Sequence, residues 1–168
     1  MITLVLGGTR SGKSEVAERL AAAAAGGEAV TYMATGRAVD ADMRARIAAH
    51  RARRPAAWAT LEVGPDLPDR LRSLAGPALV DSLGTWVASH EGLDPDAAAL
   101  GAALTGRNGD TVVVSEEVGL GVHPPTEVGR RFADALGSLN RAVAEVADRA
   151  LLVVAGRVLP LDRPPEAP

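Results

Sequence analysis

The sequence contains no cysteine. Disulfides, zinc–thiolate sites and cysteine nucleophiles are therefore excluded before any motif is considered. Aromatic residues are nearly as scarce: Tyr32, Trp58, Trp86 and Phe132 are the whole set, 2% of the chain. An aromatic platform for stacking single-stranded nucleic acid cannot be built from so few. Positive charge is not in excess either, since 18 basic residues stand against 21 acidic ones for a net charge of −3. A nucleic-acid binder or a polybasic membrane binder would show the opposite balance. No apolar run approaches the roughly 20 residues needed to cross a bilayer. The N-terminal run also lacks the charged region and cleavage site of a secretory signal. The expectation is a soluble, cytoplasmic protein with no nucleic-acid partner and no membrane insertion. The last scarcity is lysine: the only one is Lys13, and every other basic residue is arginine.

What is present is apolar and small. Hydrophobic residues make up 47% of the 168, much of it alanine, so the core must be built from Ala, Val and Leu in tightly packed layers. Continuous apolar runs at 2–6, 78–80, 111–115 and 151–155 read as buried strands, with further strands at 28–34 and 58–63. Between them lie helical patterns at 14–25, 40–54, 68–74, 83–90, 95–104 and 127–148. Asp40 or Asp42 caps the second of these, and Asp94-Pro95 supplies the cap and first turn of the fifth. Gly156 can turn the last strong strand into a short partner at 158–161. Strands alternating with helices, each strand nearly all apolar, imply a mostly parallel sheet covered on both faces. Residues 1–162 form one α/β domain on this reading, and the proline-bearing tail 163–168 is expected to be disordered.

The strongest motif follows the first strand. Gly7, Gly8, Thr9, Arg10, Ser11, Gly12, Lys13 and Ser14 fit G-x-x-x-x-G-K-[ST] without a mismatch, and the context of strand before and helix after is the one this motif requires. Such a loop wraps its backbone N–H groups around nucleotide phosphates at the positive end of a helix. The lysine bridges the β and γ phosphates, and the Ser14 hydroxyl completes the coordination of Mg²⁺. The fold class is thus a single P-loop NTPase domain of the RecA-like kind, with an antiparallel edge strand at its end. The lone lysine sharpens this. A site that needs only charge could use arginine, as this chain does everywhere else, whereas the loop needs a compact ammonium on a flexible stem. The count also removes the N-K-x-D guanine reader of GTPases, which needs a second lysine. Asp81 ends an apolar strand where a metal-side carboxylate would sit.

A second cluster lies at 40–54, where His50 stands among Arg44, Arg46, Arg51, Arg53 and Arg54. Met43, Ile47 and His50 share one face at helical spacing, which leaves two readings open. One is a histidine at the core edge beside a solvated arginine face. The other is an imidazole that attacks phosphorus, with arginines neutralising the phosphates, a role suited to a side chain that is neutral and nucleophilic near pH 7. Of the rest, Trp58 and Trp86 read as core or interface, His90 as a polar residue at a helix end and Arg130-Arg131 as a solvated face. His123 reads as a loop histidine or a substrate-facing one.

The motifs GGTRSGKS (7–14), YMATG (32–36), RIAAHRARRP (46–55), LVDS (79–82), EVGLGVHP (117–124) and LLVVAG (151–156) together resemble one family. It is the bifunctional adenosylcobinamide kinase/adenosylcobinamide-phosphate guanylyltransferase family of cobalamin biosynthesis, and the resemblance runs almost end to end. It implies that His50 carries a covalent guanylyl group and that Lys13 serves phosphoryl transfer. Tyr32, Met33 and Ala34 would line the nucleotide site, and Arg51, Ala52, Arg53 and Arg54 would hold phosphates beside the histidine. Glu62 and Asp81 match acidic nucleotide contacts, and Glu117 is a catalytic or Mg²⁺-side candidate. Where the family often has Asn, this chain has Glu116. GTP, ATP and Mg²⁺ are the implied nucleotides and cofactor, adenosylcobinamide and its phosphate the substrates, and a homotrimer the implied assembly. The residues alone keep two rivals open: a small-metabolite kinase with a structural His50, and a non-catalytic nucleotide-binding module.

Overall fold

Every position of β1 (Ile2–Gly7) is buried, as expected of an apolar strand with a neighbour on each side. Those neighbours are β5 (Thr111–Glu116) and β6 (Arg149–Val154), both parallel to it. Beyond β5 lie β4 (Ala78–Asp81), β2 (Thr31–Ala34) and β3 (Ala59–Glu62), all parallel. On the other side β7 (Arg157–Leu161) runs antiparallel to β6. The computed structural model describes residues 1–36, 41–163 and 165, and within 41–53 it leaves the side chains of 41–43, 46 and 49 undescribed. Among the described residues the sheet order is β3-β2-β4-β5-β1-β6-β7. The mostly parallel α/β sheet with one antiparallel edge pair is the expected architecture.

Side chains on adjacent strand positions feed opposite cores, as the period of two demands. Leu4, Val80 and Val113 join one cluster, while Val5, Leu79, Val112 and Val114 join the other. The first is covered by α3 (Leu67–Ser73), α4 (Leu83–Ala88), α5 (Ala97–Gly106) and α6 (Glu127–Val146). The second is covered by α1 (Lys13–Ala24), whose Ala17 and Ala21 let the helix sit close on the sheet. The remaining helix, α2 (Ala41–Arg53), contributes no residue to either cluster among those described. Ile47 is exposed, so the face it shares with His50 is not a core face of this chain.

Several boundaries differ from the sequence reading for local reasons. The second strand starts at Thr31 rather than at residue 28, because Gly26 and Gly27 turn the chain at positive φ and Glu28 N–H bonds back to the Ala25 carbonyl. Asp94-Pro95 does not cap α5. Asp96 does, its carboxylate accepting from Ala99 N–H at 2.8 Å, while Asp94 closes a short 3-10 turn at Glu91–Leu93. Arg130 and Arg131 are not a free solvated face: their guanidiniums donate to the carbonyls of Pro124 and Pro125 and to that of Gly92, fastening two loops to α6. The tail begins tethered, since Arg163 donates to the carbonyls of Glu145 and Ala147. Residues 164 and 166–168 of that tail, and the Asp40 cap, lie outside the described residues. Among the described residues no helix is long and apolar enough to cross a membrane.

Candidate active site

The phosphate-binding loop is fixed by what surrounds it. A Cβ on Gly7 would stand 2.8 Å from the Val153 carbonyl oxygen, so the β1–β6 approach requires glycine there. Gly12 takes φ +90 at the start of α1, a left-handed conformation that most side chains resist. The tight turn between β6 and β7, with Ala155 and Gly156 both at positive φ, buttresses the loop through Gly156 N–H bonding to Ser11 O at 2.8 Å. Lys13, the first residue of α1, lies with its ammonium 3.4 Å from Gly8 O and 3.6 Å from Glu116 Oε1. Gly8, Thr9 and Arg10 face solvent at the mouth of the loop.

The sheet order puts two carboxylates beside this loop. β5 lies between β1 and β4, and its last residue, Glu116, pairs with Gly7 in register. Its carboxylate accepts from Ser82 Oγ at 2.9 and 3.0 Å and from Gly84 N–H at 3.0 Å. Any side chain on Gly84 would collide with it. Behind it, the buried Asn140 of α6 accepts from Ser115 Oγ at 2.5 Å and donates to the Glu116 carbonyl at 3.0 Å. Glu117 donates its backbone N–H to Gly7 O at 3.2 Å, and its carboxylate accepts from Gly119 N–H at 2.6 Å.

Asp81, at the end of β4, joins the loop to the second cluster. Its Oδ2 accepts from Tyr32 Oη at 2.9 Å and lies 3.7 Å from His50 Nδ1, beyond hydrogen-bond distance. Burial pushes this carboxyl upward, but His50, Tyr32 and the Ser14 hydroxyl favour its charged form more strongly, so it is held below the usual carboxylate range. Burial, reinforced by the Asp81 charge, raises the Tyr32 phenol far above its ordinary value and keeps it a donor. The next corner, Ser82, is held by Thr35: Ser82 N–H donates to Thr35 Oγ1 at 2.8 Å, which in turn donates to Ser82 O at 2.6 Å.

The arginines after His50 divide their work. Arg54 stacks its guanidinium 3.6 Å over the Tyr32 ring and donates to the carbonyl of His50 and to Thr60 Oγ1. Arg53 pairs at 3.4 Å with Glu18, a nearly buried residue of α1. These contacts tie the end of α2 to β2 and to α1. Arg51 and Ala52 are exposed, as is Glu62 at the end of β3. Met33 is wholly buried in the core, so of the expected 32–34 lining its side chain takes no part. His123 is exposed in its loop, Trp86 is core, and His90 stacks edge-on against Trp86. The sequence reading missed Glu18, Thr35, Ser82, Gly84 and Asn140. Only the S-x-x-T spacing of Ser82 and Thr85 hinted at a polar corner.

A family model described as cobinamide kinase / cobinamide phosphate guanyltransferase matches residues 3–161. The chain belongs to this family. It is accordingly a transferase of cobalamin biosynthesis with the family's cobinamide kinase and cobinamide-phosphate guanyltransferase activities. Among its relatives, the bifunctional adenosylcobalamin biosynthesis protein CobP of Pseudomonas aeruginosa is 45% identical over 98% of this chain and 99% of its own. The CobU proteins of Salmonella typhimurium and Escherichia coli are 33% and 32% identical, each over 93% of this chain and 97% of their own. At the level of fold alone, the chain is similar to the flagellar accessory protein FlaH of Methanocaldococcus jannaschii. That likeness has a TM-score of 0.51 and 13% identity, and it covers 94% of this chain and 74% of FlaH.

Proposed function

We propose that one edge of the sheet carries both reactions of the family, with Lys13 and the loop serving the triphosphate and His50 carrying the guanylate. The observation that supports this division is the single Asp81 carboxylate, which lies 3.7 Å from His50 Nδ1 and whose charged form is favoured by the Ser14 hydroxyl of the loop as well as by His50. In the first step the hydroxyl of adenosylcobinamide attacks the γ-phosphorus of ATP or GTP. The γ-phosphoryl–oxygen bond to the nucleoside diphosphate breaks, and the hydroxyl proton is released. Lys13 and the N–H groups of Gly7–Ser14 hold the phosphates and stabilise the charge that builds on them. In the second step His50 attacks the α-phosphorus of GTP and pyrophosphate leaves. Because Nδ1 faces Asp81, Nε2 is the nitrogen available to attack, and Asp81 stabilises the positive charge the ring acquires. The phosphate of adenosylcobinamide phosphate then displaces guanylate from the ring, giving adenosylcobinamide-GDP.

Mg²⁺ fits the donors present. Ser14 and Asp81 offer oxygens at the loop, and among the described residues no cluster of three or more His, Cys, Asp or Glu forms a dedicated cage. This is the pattern of a cation held by one or two protein oxygens together with substrate phosphates. When bound, Mg²⁺ neutralises charge on the β and γ phosphates. Arg51–Arg54 and Glu62 border the histidine side and complete the nucleotide contacts on this reading. A cytoplasmic homotrimer is the assembly and location proposed with it.

The test is turnover. The protein incubated with adenosylcobinamide, Mg²⁺ and either ATP or GTP should yield the phosphate ester, and GTP should carry it on to adenosylcobinamide-GDP, both read by mass. Formation of neither product overturns the proposal.

A further inference from the structure

The Glu116 carboxylate is an odd neighbour for a phosphate loop. It stands 3.6 Å from the Lys13 ammonium, at the strand end paired with Gly7. It is not there by side-chain wandering. Ser82 Oγ reaches both of its oxygens, Gly84 N–H donates to one of them, and Asn140 clamps the backbone behind it. Gly84 leaves the room it fills. A built-in anion beside a phosphate site has two effects. It supplies the counter-charge that a largely buried ammonium needs when no phosphate is present; the Lys13 side chain is only 12% exposed. It also repels any incoming polyanion whose charge is not already masked.

We infer that Glu116 is a specificity determinant that makes the loop discriminate against metal-free polyphosphates, admitting nucleotide as its divalent-metal complex. The inference rests on the reading of Gly7–Ser14 as the nucleotide loop. A phosphate that enters without a cation must share Lys13 with Glu116 and lie beside a fixed negative charge. A phosphate that enters with a cation brings the neutralising charge with it. Charges a few ångströms apart at a partly exposed site are worth about tenfold or more in affinity.

The substitution Glu116→Gln keeps the shape and an oxygen acceptor for Ser82 and Gly84 while removing the charge. Equilibrium dialysis would measure the affinity of GTP in EDTA, of pyrophosphate in EDTA, and of GTP with Mg²⁺, for wild type, E116Q and K13A. E116Q is expected to bind metal-free GTP and pyrophosphate about tenfold more tightly than wild type, so the preference for the Mg²⁺ complex falls by a similar factor. Metal-free affinities in E116Q equal to or weaker than wild type overturn the inference, whatever happens to the Mg²⁺ complex. A merely structural Glu116 would move the melting temperature and leave those affinities where they were. If K13A binds GTP as tightly as wild type, the loop reading itself fails, and the inference with it.

Discussion

The two halves of the candidate site are built in opposite ways. Around Lys13 the geometry comes from backbone: parallel strand ends, a loop wedged by the β6–β7 turn, and glycines at Gly7 and Gly12 where side chains cannot go. Around His50 it comes from side chains. A helix that feeds neither core cluster among the described residues is held to the sheet by the Asp81 contact and the Arg54–Tyr32 stack, and to α1 by the Arg53–Glu18 pair. Backbone geometry fixes phosphate oxygens from the moment the chain folds. Side-chain tethers leave the histidine dependent on a few polar contacts, each modest in strength where solvent reaches it. The covalent role proposed for His50, in which the ring meets first GTP and then a second substrate, would suit the looser arrangement.

Substitutions that strike one half at a time break this comparison most sharply. His50→Ala should lower guanylyl transfer by about 10³-fold or more, the scale on which removal of a nucleophile acts. It should affect phosphorylation of adenosylcobinamide far less. The two rates measured separately decide it, and equal losses would mean the halves are not distinct. Lys13→Ala should cost phosphoryl transfer about 10²–10³-fold through lost charge stabilisation, with a large part of the loss in kcat. Asp81→Asn tests the bridge. Orienting partners of this kind are worth about 10–100-fold, and here both rates should fall, since the carboxylate faces Ser14 as well as His50.

The backbone half has its own weak point. Asn140→Ala leaves the Ser115 hydroxyl and the Glu116 carbonyl without their buried partner and should cost about 1–3 kcal/mol of stability, read from urea midpoints. The smallest effect is with pH. The Asp81 carboxyl is held below its ordinary value in the folded chain. Its contribution to stability is therefore complete above the unfolded value of about 4 and is lost as pH falls through the lower folded value. Between about pH 6 and about pH 3 wild type should lose more stability than Asp81→Asn does. A parallel decline would show that the carboxylate is not stabilised in the fold.

How legible each half was follows from the same difference. The loop is contiguous, and its requirements are those of one turn between a strand and a helix, so residues 7–14 declare it. The alternation of apolar runs and helices declared the parallel sheet, and Gly156 the edge pair. The His50 cluster was half visible. Its residue types and spacing suggest phosphate chemistry, but helical periodicity leaves a core-edge histidine equally open, and only the exposed Ile47 in the fold speaks against that reading. Glu116 stood out as a departure from the family's Asn, but its surroundings could not be read. Its position depends on Ser82, Gly84 and Asn140, which lie 34, 32 and 24 residues away, and no local pattern carries that information. The acidic residue next to it, Glu117, fits the family motif, and in the fold its carboxylate accepts from Gly119 N–H.

The division of labour between Lys13 and His50 is tested most directly by covalent labelling. The protein is incubated with GTP carrying label on the α-phosphate, denatured, and treated with acid or base. The account predicts one label per chain, lost in acid and kept in base as a phosphoramidate is, and absent from His50→Ala. Wild-type labelling of His50→Ala, or no label on the wild-type protein under conditions where adenosylcobinamide-GDP forms, would contradict it.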